Sequence, residues 1–335
     1  MNTTALAALS GVTALAVALA LGYLARIRMP RPPVGVHTAG DVAVVCVGVV
    51  LAPLLDLALP TPVVVTVFGV VLGTAVQFTL APLLGGRWAW PAAAAGIGAT
   101  LALHASPTGV LAATDVLLLI AVTGVTNLWV QSGMRAAHVA ALAGALAVYD
   151  LVATTLTSVT LRFAAEVRGQ PFAPQLALTR GALPVSLGLG DLLLLVLFPL
   201  AAAKAYGRRA ALLAAAVGLA VVSSVSALFA AHVLTAGFPL LTALGPLIVA
   251  QQLYWRQRRG RERTWAEWRS GAREAAPPPV NPAERALRAT AAPGLPEDCW
   301  LAVRDDRVVG VGATPGLARR DARRLGRTPT AVRQR

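Results

Sequence analysis

Along residues 1–255, apolar runs near 20 residues alternate with short breaks made of Pro, Gly and Arg. Runs of that length read as membrane-spanning helices, because lipid offers the backbone no partner outside its own helix. The expected spans are 4–24, 41–59, 62–84, 91–105, 109–130, 136–159, 181–203, 210–230 and 237–254. The fourth is short and rich in Ala and Gly; were it re-entrant, eight spans would remain and both ends would share a side. The first run precedes its arginines, which is the wrong order for a cleaved signal peptide and suits a first span that starts outside.

Charge placement sharpens this topology. With the start outside, the inner loops hold Arg26, Arg28, Arg31, Arg87, Arg135, Lys204, Arg208 and Arg209, and the segment after the last span adds Arg256, Arg258, Arg259, Arg261 and Arg263. The outer segments hold only Arg162, Arg168 and Arg180. This positive-inside bias predicts an all-α polytopic protein of the cell membrane with about nine helices, N-terminus outside and C-terminus cytoplasmic. Gly69 and Gly73 form a G-x-x-x-G in the third span, a spacing that also arises by chance in Gly-rich membrane helices.

Composition agrees and removes several functions. The chain is 56% hydrophobic and 13% charged, against about 25% charged in soluble domains. Its formal charge of +14 flanks membrane spans or lies in the tail, so it is no nucleic-acid signature. Cys46 and Cys299 build no disulfide framework, and His37, His104, His138 and His232 lack any zinc-protease spacing. Beyond Trp255 the character changes. Residues 256–296 read as a basic juxtamembrane segment, with a short helix around Trp265 and Trp268, followed by a Pro/Ala-rich linker. Residues 297–335 read as a small α+β unit of ββα or ββαβ type, with its helix from Pro315 to Leu325. The arginines of that helix are most simply a solvated face.

Carboxylates within the bilayer cost about 2.5–3.5 kcal/mol each, so each requires a reason. Asp41 and Asp56 lie near the ends of the second span, where interfacial water reaches them. Asp115 reads as a polar contact between helices. Asp150 lies 15 residues beyond Arg135, and Asp191 lies 13 before Lys204. At 1.5 Å per residue both sit roughly 20 Å from the inner edge. Two adjacent antiparallel helices would thus bring two carboxylates to one buried level, where they share a proton. Such a pair activates a water molecule with one member and donates to a carbonyl oxygen with the other, with no metal, cofactor or covalent intermediate.

The surroundings of the two aspartates carry a resemblance. Tyr149-Asp150 lies in the sixth expected span and Gly188-Leu189-Gly190-Asp191 in the seventh. The pair resembles the GxGD intramembrane aspartyl proteases, the family of presenilin and signal peptide peptidase, in which Y-D and G-x-G-D occupy those helices. The resemblance implies catalysis by Asp150 and Asp191, supported by Tyr149, Gly188, Leu189 and Gly190. It also implies a Pro-Ala-Leu motif opening the ninth helix. Here the best match is Thr242-Ala243-Leu244, with Thr in place of Pro, and Pro239 or Pro246 is left to break the helix. By resemblance this segment positions the substrate.

Physically, Gly188 and Gly190 remove side chains where an extended substrate backbone approaches Asp191, although glycines also serve ordinary helix packing. Residues 160–180 are either a plain connector or a support for an unwound strand. The orientation is similar to that of signal peptide peptidase, which implies single-span substrates with cytoplasmic N-termini, including remnant signal peptides. Three alternatives use the same residues differently: a transporter or proton-coupled carrier binding cations at buried aspartates, a protease similar to the type IV prepilin peptidases, and an inactive scaffold.

Overall fold

A computed structural model describes residues 3–29, 39–157, 159–179, 185–234, 238–271, 299–304, 307–325, 328–329 and 331–334. The chain forms two compact units, residues 1–275 and 276–335. The first contains α1 (Thr3–Arg26), α2 (Ala39–Ala58), α3 (Thr61–Leu84), α4 (Gly86–Ala102), a 3-10 turn (Leu103–Ala105), α5 (Pro107–Gln131) and α6 (Ala136–Thr155). It continues through α7 (Val159–Glu166), β1 (Gln175–Ala177), β2 (Ser186–Gly188), α8 (Leu189–Tyr206), α9 (Arg208–Ala230), α10 (Leu240–Arg259) and α11 (Trp265–Arg269).

Seven of these helices, α1, α2, α3, α5, α6, α8 and α9, are long and apolar enough to cross a membrane. Lipid makes that composition stable, since helices satisfy their own backbones and leave Val and Leu side chains facing outward, as Val44, Val70, Val148 and Leu156 do. Helix α8 is the hub. Its most apolar stretch is 72% buried, against 11% for α2, and it packs on α1, α5, α6, α9 and α10. Helix α4 has 17 residues and runs against α3 and α5, while α10 lies along α6.

Several boundaries depart from expectation. The fourth helix begins at Gly86, ahead of the expected 91, because Gly85, with φ of 81°, turns the chain between α3 and α4. The sixth ends at Thr155, and α7 is a separate helix. The stretch expected to be helical from 181 contributes strand β2 instead, and α8 starts only at Leu189. A short buried apolar run has no periodicity that separates strand from helix, and Gly188 and Gly190 are weak helix formers. The ninth helix is continuous through Pro246, and Pro239 is its N-cap. The G-x-x-x-G glycines face two partners: a Cβ on Gly69 would stand 3.1 Å from the Phe172 ring, and one on Gly73 would stand 3.4 Å from Ile97 of α4.

Hydrogen bonds gather the basic helix ends on one face. Gln131, at the end of α5, accepts from the Met29 N–H at 3.0 Å and donates to the Ile27 carbonyl at 3.1 Å, fixing the exit of α1. The Tyr23 hydroxyl donates to the Thr79 carbonyl at 2.8 Å, which puts the end of α3 there too. Just after α10 the chain folds back as a clip. The Glu262 carboxylate accepts the first N–H groups of α6, from Ala136 and Ala137, at 2.8 and 2.9 Å. Arg263 donates to the Ala203 and Ala205 carbonyls at the end of α8, at 2.8 and 3.3 Å. Consecutive residues thus cap the neighbouring ends of two antiparallel helices, which sets their axial register. Lys204, expected as a loop charge, is instead a buried residue of α8 that donates to the Met134 and Val130 carbonyls around the end of α5. The short helix α11 closes this face with a Thr264–Glu267 capping box.

In the second unit, β3 (Trp300–Arg304), β4 (Arg307–Gly312), α12 (Pro315–Arg324) and β5 (Ala331–Gln334) form a ββαβ arrangement. The antiparallel sheet has the order β4-β3-β5. Gly310 and Gly312 let α12 press on the sheet: a Cβ on Gly310 would fall 2.4 Å from the Ala318 carbonyl oxygen. The linker expected over 276–296 lies outside the described residues.

Candidate active site

Helices α6 and α8 run antiparallel and touch. Arg135 is the N-cap of α6 and Lys204 lies in the last turn of α8, so both ladders to the aspartates are helical throughout. Asp150 lies five residues before the end of α6, and Asp191 is in the first turn of α8. Both carboxylates therefore stand near the helix ends remote from the basic face, rather than midway along the helices. Each is partly buried. Asp150 is the charged neighbour that acts on Asp191.

Each carboxylate meets a helix N-terminus. Asp191 is the third residue of α8 and reaches back to the Gly188 backbone N–H at the N-cap. Asp150 receives a backbone contact from Leu241, second residue of α10, and a long hydrogen bond of 3.4 Å from the Thr154 hydroxyl. First-turn N–H groups have no partner inside their own helix and favour negative charge. Among the described residues, the hydroxyls of Tyr149 and Thr242 are buried with no hydrogen-bond partner. Tyr149 stands beside Asp150. Both hydroxyls are spare hydrogen-bonding groups in the segments that carry Asp150 and Leu241.

Small residues bring α10 to this point. A Cβ on Gly245 would fall 2.6 Å from the Ala147 Cβ and 2.7 Å from the Ala143 carbonyl oxygen. Only glycine permits that approach, one turn from Leu241 and one turn from Asp150. The expected substrate-positioning triplet, Thr242-Ala243-Leu244, lies in the same first turns of α10. Leu241 contacts Asp150, Thr242 contributes its free hydroxyl, Ala243 is partly exposed, and Leu244 is buried in the core. Leu241 and Gly245 went unnoticed in the sequence, although the helix-opening Pro239 and the small residues Ala143 and Ala147 were legible signals.

The strands complete the site. The registered pairs are Gln175↔Gly188, Leu176↔Leu187 and Ala177↔Ser186. Bonds from Leu178 to Val185 at 2.9 Å and from Leu189 to Pro174 at 3.0 Å fix the alternation, so Ala177 and Ser186 turn their backbone groups outward. On the β1 side, Asp115 of α5 accepts the Ala177 N–H at 3.0 Å. Asp115 therefore braces a strand, not a second helix as expected. Thr114 accepts the Phe172 N–H at 3.3 Å, and the Phe172 ring lies over Gly69. The other edge of the hairpin, along β2, has no further strand among the described residues, and it leads directly to Asp191.

The glycines before Asp191 play different parts. Gly188 is extended, with φ of −63° and ψ of 149°, and a Cβ there would stand 3.1 Å from the Asp191 Oδ2. A Cβ on Gly190 would meet nothing within 4 Å, and Leu189 packs partly buried against the core. Asp56 lies near the end of α2 as expected, but its side chain is covered. It is buried near Glu166, and neither of its carboxylate oxygens has a partner among the described residues. The described residues contain no cluster of His, Cys, Asp and Glu of metal-binding geometry. Compared with known protein families, curated proteins and solved structures, the chain matches none.

Proposed function

We propose that the chain is an intramembrane aspartyl endopeptidase of the presenilin and signal peptide peptidase type, acting through Asp150 and Asp191. The observation that carries this reading is the placement of the two carboxylates on adjacent antiparallel helices, near enough for the charge of Asp150 to act on Asp191, beside a strand edge with no further strand among the described residues. In this reading α4 and α10 also span the bilayer, making nine passes with the basic face in the cytoplasm.

The chemistry follows from the pair. One carboxylate, ionised, takes a proton from a water molecule as its oxygen attacks the scissile carbonyl carbon. The other, protonated, donates to the carbonyl oxygen, giving a gem-diol. On collapse, the proton taken from water passes to the departing amine, one gem-diol hydroxyl returns a proton to the second carboxylate, and the peptide bond breaks to leave a carboxylic acid. The titration belongs to the pair, so acid and base are not assigned singly and the pH–rate profile is bell-shaped. A membrane helix hides its peptide bonds, so the substrate must be unwound near the site. Ser186, whose backbone groups point out from β2, supplies an edge on which an extended segment lies beside Asp191. Tyr149 and Thr242 offer hydroxyls to that segment or to water. The substrates are single membrane spans or remnant signal peptides with cytoplasmic N-termini.

The test uses the full chain purified in detergent with a tagged single-span substrate. The intact protein cleaves it, and Asp150→Ala or Asp191→Ala lowers the rate by about 10²–10⁴-fold. Undiminished cleavage in either variant, or none by the intact chain on substrates of both orientations, rejects the proposal.

A further inference from the structure

On the basic face, remote from the aspartates, three elements line a small cavity of about 50 Å³, open on one side. The exit of α1 contributes Arg28 and Met29, the end of α5 contributes Leu128, Gln131 and Ser132, and α11 contributes Trp265 and Arg269. The lining combines apolar Met29, Leu128 and Trp265 with polar Gln131, Ser132 and the two arginines. The two arginines are exposed, and among the described residues neither has a carboxylate partner.

The nearby acids among the described residues are committed elsewhere. Glu262 is spent on the Ala136 and Ala137 N–H groups and on Gln252, at 2.7 Å. Glu267 holds Arg261 at 2.5 Å and the Thr264 N–H at 2.7 Å. Gln131 is engaged with residues 27 and 29. Among the described residues no acid neutralises Arg28 or Arg269, so both guanidinium groups are open to an anion from outside. Trp265 and Trp268 stack with ring centroids 4.9 Å apart, as aromatic side chains do at the headgroup level of a bilayer.

We infer that this cavity binds the phosphate group of an anionic phospholipid, held between Arg28 and Arg269 with its glycerol end against Leu128, Met29 and Trp265. A bidentate guanidinium suits a phosphodiester, and basic pockets between helices on the cytoplasmic side bind such headgroups. The apolar part of the lining selects an amphiphile over free phosphate. This site is independent of the proteolytic reading and needs no activity for its test.

The test is native mass spectrometry of the full chain in detergent, titrated with phosphatidylglycerol, phosphatidylcholine or inorganic phosphate. One phosphatidylglycerol is retained per chain, and R28Q/R269Q weakens it by roughly thirtyfold. R208Q/R209Q, which alters arginines of the same face outside the cavity, leaves it unchanged. Ser132→Asp, which places an anion among the cavity residues, also expels the lipid and serves if the double variant does not fold. Equal retention in R28Q/R269Q and R208Q/R209Q, or retention of phosphatidylcholine as strong as that of phosphatidylglycerol, overturns the inference. So does displacement of the lipid by millimolar inorganic phosphate, which would make the site one for the free ion.

Discussion

The two ends of helix α8 handle charge in opposite ways. At its C-terminal end, Lys204, Glu262 and Arg263 each have at least two partners, mostly backbone groups at helix ends. At its N-terminal end, Asp191 stands near Asp150, a charge of the same sign, and each also meets one helix N-terminus, through Gly188 and Leu241. Neutral amides on the basic face also keep spare atoms, such as the Gln252 Oε1, so the contrast concerns charge. A buried charge paired with helix ends of opposite polarity fixes position, whereas two neighbouring carboxylates disfavour each other's ionisation. One end of the helix pair holds register; the other carries the candidate site.

Substitutions at the two ends separate these roles. The largest effect on turnover is expected from Gly188→Val. Its backbone is extended, so a β-branched residue keeps the strand, but the new Cβ stands 3.1 Å from the Asp191 Oδ2. Displacing the carboxylate lowers kcat by about 10²-fold with Tm unchanged, as cleavage kinetics and a thermal melt will show. An equal fall in Tm would mean that Gly188 is structural.

The opposite signature is expected from Glu262→Ala, which strips the caps from Ala136 and Ala137. Thermal denaturation should show a loss of about 1–3 kcal/mol, with a smaller fall in kcat than at Gly188. A fall in turnover with no change in stability would show that the clip is not what holds the register.

The smallest effect is expected from a pair at Asp115. Asp115→Asn keeps an acceptor for the Ala177 N–H and leaves cleavage near normal. Asp115→Ala frees β1 at a cost of about 1 kcal/mol and raises KM several-fold with little change in kcat. Equal loss in both variants would give the charge of Asp115 a role beyond bracing the strand.

Much of the membrane unit was legible because its signals are local. Apolar run length gave the helices, and constant helical rise matched the heights of Asp150 and Asp191. The strand at Ser186–Gly188 was not legible, because three residues carry no usable period and pairing with Gln175–Ala177 decides their form. Lys204 was misplaced because a lysine near the end of a hydrophobic run normally reaches for water, and only the carbonyls of Met134 and Val130 make its burial tolerable. The approach of α10 to Asp150 rests on the space at Gly245, a property of two helices together.

Run length, charge bias and the spacing of the two aspartates are written along one dimension, so composition and the geometry of a single helix suffice to read them. Which carboxylate meets which helix N-terminus, which acid clips α6, and which arginines are left without an anion depend on contacts between segments up to 126 residues apart. Those contacts exist only after packing, because a side chain's partner is chosen by proximity in space and by the cost of leaving a buried polar group unpaired.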